Sequence, residues 1–186
     1  MAPRASHTTT ETIAQPTPLY EKTEFRHKFV WSRLFFYSLL HVAALYGLIF
    51  VWWRCSWYTI LFAFILGWFS NLSITAGAHR LWSHKAYSAR FPLRLFLALT
   101  GALAVQESVY NWCRGHRAHH KYTDTDADPH NAKRGFFFSH IGWLMMSEHP
   151  DVSEKKEQLD MSDLLSDPVV HFQHKLQDQT KLLAMA

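Results

Sequence analysis

Charge is scarce in this sequence: Asp, Glu, Lys and Arg make up 18% of its 186 residues, where soluble domains carry roughly a quarter. Cysteine is scarcer still. Cys55 and Cys113 are the only two, which excludes a disulfide framework and any CxxC metal motif. The basic excess is small, with a formal net charge of +4 and a pI near 9.1. A nucleic-acid binder would carry a dense basic stripe, so no nucleic-acid partner is expected. A mild positive balance suits anionic lipid headgroups or a phosphorylated substrate. No internal repeat is evident, and the first residues lack the apolar stretch of a secretory signal. Rich in Thr and Pro, residues 1–28 read as a disordered arm.

What is abundant is apolar and aromatic. Aromatics reach 16%, with eight tryptophans. Residues 34–53, "LFFYSLLHVAALYGLIFVWW", and 57–78, "WYTILFAFILGWFSNLSITAGA", are uncharged. Twenty helical residues cover about 30 Å, enough to cross a bilayer core. Only Arg54, Cys55 and Ser56 separate the two, flanked by Trp52, Trp53, Trp57 and Tyr58. Such aromatics sit at the membrane–water boundary. The expected fold is an all-α integral membrane helical bundle, with two transmembrane helices joined by a tight turn. Arg4, Lys22, Arg26, Lys28 and Arg33 precede the pair, and Arg80, Lys85, Arg90 and Arg94 follow it. The turn holds Arg54 alone, so both ends are expected in the cytosol.

Residues 91–110, "FPLRLFLALTGALAVQESVY", have an apolar core too short to span and are expected to form an interfacial helix. Residues 111–186 would then form a cytosolic cap. Its final helix should turn Leu164, Leu165, Val169, Phe172 and Leu176 inward.

The chemistry lies in the histidines. His7, His27 and His41 are isolated and need no special role. His79 and His84 follow the second span directly, while His116, His119 and His120 crowd into "GHRAHHKYTDTDADPHN". The last three share one helical face. His79 and His84 point about 140° apart on a regular helix, so they converge only if that helix ends or unwinds between them. Imidazole binds Zn, Cu, Fe or Ni, and ligand type does not choose among these. Five imidazoles exceed the four of a closed structural zinc site and fall short of two metals with open positions. Asp124, Asp126 and Asp128 match the first positions of a calcium loop. Pro129 and Gly135 then occupy positions that need Gly and Glu. The carboxylates are better suited to accepting the spare N–H of a metal-bound imidazole.

The stretches "HRLWSH", "GHRAHHKYTDTDADPHN" and "RGFFFSHIGWLM" resemble the membrane fatty acyl-CoA desaturases, the stearoyl-CoA or delta-9-type family, over residues 25–172. The resemblance implies O2-dependent insertion of a cis double bond into a fatty acyl-CoA at a centre of two iron ions. It implies electrons from cytochrome b5, and four membrane helices with a cytosolic cap in the endoplasmic reticulum. By position the iron ligands would be His79, His84, His116, His119 and His120, with Arg114 at the substrate and Trp112 walling the acyl chain. Lys133 and Arg134 are candidates for the anionic headgroup by charge.

Gly115, Ser147, Glu148 and Glu107 depart from the family pattern, which has Asp, a basic pair and an amide there. The third histidine box and second pair of spans do not occur in these 186 residues. The expectation is therefore the N-terminal half of such an enzyme, inactive alone, with the di-iron centre shared with a C-terminal half and at most one metal held here. Two alternatives remain: a related di-iron fatty acid hydroxylase, and a non-catalytic membrane hairpin that binds metal or pairs with a full-length desaturase.

Overall fold

The computed structural model describes residues 25–185, with side chains through Thr180. Most of the expected arm lies outside the described residues. Within them every regular element is a helix, beside one isolated bridge between Phe29 and Met146. Helix α1, Trp31–Arg54, contains no proline, carries a cation in its last turn and ends at Cys55, which is extended. At 24 residues it is about 36 Å long. None of its residues is buried, although its apolar window has a mean hydropathy of 2.0. Lipid is the solvent that such a surface calls for.

Ser56 starts the second helix, its Oγ accepting the Thr59 amide at 3.3 Å. Helix α2 runs Trp57–Leu72 and passes without a break into wider turns over Ser73–Ser83. The continuous apolar helix is thus Trp57–Ser83, five residues longer than the expected span. It and α1 are the two helices among the described residues long and apolar enough to cross a membrane.

The stretch 91–110 is not one interfacial helix. Helix α3, Phe91–Ala102, stops where Val105 and Glu107 take positive φ, 54° and 67°. Ser108 then caps a new helix, α4, Val109–Lys121, by accepting the Asn111 amide. Helix α3 is held against α2 and its wide extension. Thr100 and Ser73 share a hydroxyl hydrogen bond of 2.5 Å, and the Phe96 and Phe69 rings meet at 5.3 Å. Gly77 makes this approach possible, since a Cβ there would lie 3.1 Å from the Trp82 ring and 3.3 Å from Leu97 Cβ.

Past α4 come a short helical segment α5, Trp143–Met145, and helices α6, Pro150–Glu157, α7, Ser162–Ser166, and α8, Pro168–Met185. The expected apolar face at the end is only partly inward. Leu164 and Val169 are buried, with Val170 beside them, whereas Leu165, Phe172 and Leu176 are exposed. Pro168 restarts the chain as a new helix after Asp167, so Leu164 and Val169 do not share one periodic face.

Ion pairs fasten these last helices to the membrane-facing half. Arg117 grips Asp163 through two hydrogen bonds of 2.9 and 2.7 Å and donates to the Trp82 carbonyl. Asp167 accepts the Trp82 indole N–H at 3.1 Å and pairs with Arg94 at 2.8 Å. The Arg117 hydrogen bonds bring the Asp163 carboxyl down to about 2. Asp163→Asn should therefore cost on the order of 1.5–3 kcal/mol at neutral pH, read as a lower Tm in detergent. A depressed folded-state value means the contribution is present above the ordinary aspartate range and lost as pH falls toward 2. The Tm gap between variant and native chain should close on that descent.

Candidate metal centre

The wide turns resolve the geometric difficulty posed by His79 and His84. The His84 amide donates to the His79 carbonyl at 3.0 Å, and the Ser83 hydroxyl to the Ala78 carbonyl at 2.7 Å. This five-residue spacing is that of a π-helix, which stacks residues that a regular helix would splay. The two imidazoles meet at 4.6 Å between ring centres.

Helix α4 supplies the facing pair. It packs through buried Cys113 and Ala118, with the Cys113 thiol on the Ala78 carbonyl at 3.3 Å. Burial pushes that thiol up to about 12, which makes Cys113 a packing group. One turn along, His116 and His120 project toward the wide helix. The Nε2 atoms of His84 and His116 lie 3.0 Å apart, and the His84 and His120 rings 4.6 Å apart. His79, His84, His116 and His120 each offer a ring nitrogen within 4.8 Å of the others.

His116 and His120 are tuned to stay uncharged. Burial, followed by its imidazole neighbours, lowers His116 to about 3, and the same causes lower His120. Neutral imidazoles offer lone pairs, and four that crowd together without a counter-charge gain most from a shared cation. The donor set fits a transition metal such as iron or zinc. Trp112 stacks on His116 at 4.8 Å and donates its indole N–H to the Gln106 side chain at 3.0 Å.

His119 stands outside this quartet, 6.3 Å from the His116 ring. Its Nδ1 donates to Asp128 at 2.8 Å. A carboxylate only accepts, so the proton sits on Nδ1 and Nε2 is the atom left for a metal. The Asp128 side chain is fully buried and also accepts the Asp124 and His130 amides, at 2.8 and 2.9 Å. Burial would raise its carboxyl, but these hydrogen bonds outweigh it and hold the group below the usual aspartate value. Within the aspartate trio, Asp128 is the one that orients a candidate metal ligand through the His119 hydrogen bond. Asp124 accepts the Ala132 amide, and Asp126 pairs with Arg134 at 2.9 Å. His130, which sequence reasoning passed over, packs on Trp143 at 4.2 Å, and burial lowers it to about 4.

Arg114 lines a cavity of about 550 Å³ between the base of α1 and the cap, with Arg33, Glu107 and Asp128 in its wall. Ser147 and Glu148 border it too. Ser147 Oγ accepts the Lys28 amide at 2.9 Å, and Glu148 is ion-paired with Lys156. Lys133 is exposed, and Arg134 is committed to Asp126. Asp163, Arg117 and Gln106 shape the surroundings of the histidines with no signal in sequence spacing that marks them.

Residues 55–158 match the fatty acid desaturase family. The chain is 52% identical over 158 residues to stearoyl-CoA desaturase 5 of Bos taurus, covering 85% of this chain and 47% of that protein. It is 51% identical over 155 residues to the delta(9)-fatty-acid desaturase fat-6 of Caenorhabditis elegans, covering 83% and 46%. Against the acyl-CoA delta(11) desaturase of Trichoplusia ni the figures are 49% over 153 residues, 82% and 44%. The chain spans about half the length of these relatives.

Proposed function

Since the chain belongs to the fatty acid desaturase family, we propose that it forms the histidine-bearing part of an acyl-CoA desaturase, an oxidoreductase of the endoplasmic reticulum membrane. The observation that carries this reading is the convergence of His79, His84, His116 and His120 at the end of a membrane-length helix. Those four would hold one iron. His119, oriented by Asp128, would offer Nε2 to a second, whose remaining ligands lie beyond these residues. Bound iron supplies the activation of O2 for removing two hydrogens from an unactivated CH2–CH2 pair, with electrons from cytochrome b5.

The chain's own groups do the rest. Exposed apolar surface on α1 and α2 admits an acyl chain from lipid. Trp112, held by Gln106, keeps the His116 ring in one orientation and walls the chain's path. Arg114, at the cavity wall, meets the anionic end of the thioester. Because Glu148 is already neutralised by Lys156, its charge is not free to repel that end.

The test is a chimera that joins this chain to the C-terminal half of the bovine relative, assayed on stearoyl-CoA with a full electron-transfer chain. The expected product carries a cis double bond, and His84→Ala abolishes it. A hydroxylated product would favour the related hydroxylases, and no product from a folded, metal-loaded chimera would overturn the reading. Topology is tested separately. A glycosylation acceptor at Ser56, in a lengthened turn, should be modified in the lumen, whereas one near Asp151 should not. Modification near Asp151 would place the histidines on the wrong side.

A further inference from the structure

Residues 136–145 form one helical stretch, with wide turns over Phe138–Gly142 leading into α5. Phe138 and Met145 are buried in the cap. The first two residues behave differently: Phe136 is 80% exposed and Phe137 53% exposed. Two adjacent phenylalanines left in water would be costly, and Phe136 stacks at 5.3 Å on His140, an exposed residue of the same stretch. The far end of the stretch is tied to the membrane helix. The Val30 amide donates to the Met145 carbonyl at 2.8 Å, and the Ser147 amide to the Lys28 carbonyl at 2.8 Å. This short antiparallel pairing fixes α5 at the base of α1, where Trp31 is 76% exposed and Phe29 47% exposed. The rim is basic. Arg26, Lys28 and Arg33, just before and at the start of α1, and Lys133, three residues before Phe136, are exposed and make no ion pair among the described residues.

We propose that Phe136 and Phe137 anchor the cap in the bilayer surface, entering the headgroup layer beside the base of α1 while Lys133 and the basic run Arg26, Lys28 and Arg33 meet anionic lipid. Two observations select lipid as the occupant. The apolar stretch is continuous, through its paired end, with a helix of membrane-spanning length that has no buried residue. The cations at its edge complement anionic headgroups, and a short amphipathic segment of this kind lies in the interface plane instead of crossing. Gly142 permits the arrangement, since a Cβ there would fall 2.9 Å from the Phe137 ring. The consequence is mechanical. A cap held at both α1 and this stretch keeps the histidine helix α4 at a fixed height over the lipid.

The test uses the full chain, reconstituted in phosphatidylcholine vesicles with a minor share of phosphatidylserine. On a Cys55→Ser background, an environment-sensitive fluorophore is attached at Phe136→Cys and, as a reference, at Glu157→Cys on an exposed face of α6. The label at 136 should be quenched by lipids bearing a nitroxide near the headgroup, and several-fold less than the label at 157 by aqueous iodide. Separately, the native chain should show Phe136→Asp weakening retention of the cap at the surface, read as faster proteolysis between residues 121 and 150. Equal iodide quenching at the two positions would overturn the proposal by placing Phe136 in water. Protection from both quenchers would overturn it too, because the pair would then be covered by protein.

Discussion

His120→Ala should lower the chain's affinity for iron or zinc by more than about 100-fold. Changing a residue that merely orients a metal-bound imidazole costs about 10–100-fold, and a lost ligand must cost more. His120 is the best member of the quartet to remove. It is exposed, its ring nitrogen lies within 4.8 Å of those of His79, His84 and His116, and no buried packing depends on it. His41→Ala serves as the control, since His41 lies in α1 and only bonds the Tyr37 carbonyl of its own helix. Competition with a chelator of known affinity measures both. A His120→Ala loss no larger than the control would remove the quartet from consideration. The same burial that readies His116 for metal has a pH signature in the metal-free chain. Its folded-state value near 3 lies below the 6.5 of an exposed imidazole, so an unfolded chain takes up a proton that the folded one refuses. Stability without metal should fall as pH drops below about 6.5, and bound metal should blunt that fall.

Asp128→Ala should be the most damaging single change to the loop after α4. The fully buried carboxylate satisfies His119 Nδ1 and two main-chain amides. Each buried donor left without a partner costs about 1–3 kcal/mol, so the variant should lose several kcal/mol and release residues 122–132 to rapid hydrogen exchange. Asp128→Asn separates structure from tautomer. It keeps the size of the side chain, but its NH2 group faces donors that need acceptors. Tm should fall less than in the alanine variant, because the Asn oxygen can still accept from His119 Nδ1 and the His130 amide while its NH2 group meets the Asp124 amide. Ring-nitrogen NMR of His119 should then show a single Nδ1–H tautomer in Asp128→Asn and both tautomers in Asp128→Ala. A single unchanged Nδ1–H tautomer in Asp128→Ala would mean that the carboxylate does not orient this ring.

The two membrane-length helices were legible because lipid imposes a long uncharged run that no soluble context requires. Their ends were less so, since the second apolar run continues as helix beyond residue 78, where polar residues begin, to Ser83. Composition could not reveal the break between α3 and α4. It rests on two non-glycine residues, Val105 and Glu107, in backbone conformations that few sequences announce. The histidine site was legible in its residue types and in the condition for convergence, but the means was not. A π-helical widening over Ser73–Ser83 depends on the packing of Gly77 against Trp82 and Leu97, residues far apart in spacing logic. His119 illustrates the limit of facial periodicity. It shares the helix face with His116 and His120, yet the buried Asp128 from the next loop draws its ring aside. Equally, Leu165, Phe172 and Leu176 fit an inward stripe by pattern, but the chain breaks into two helices at Asp167, and all three end up exposed.

X-ray absorption on the purified 186-residue chain loaded with iron or zinc, combined with its metal content, tests the central claim directly. One metal per chain is expected in a shell of imidazole nitrogens, lost together with its spectrum in His84→Ala and His120→Ala. Two tightly bound metals per chain, or a single metal whose shell survives both substitutions, would contradict it.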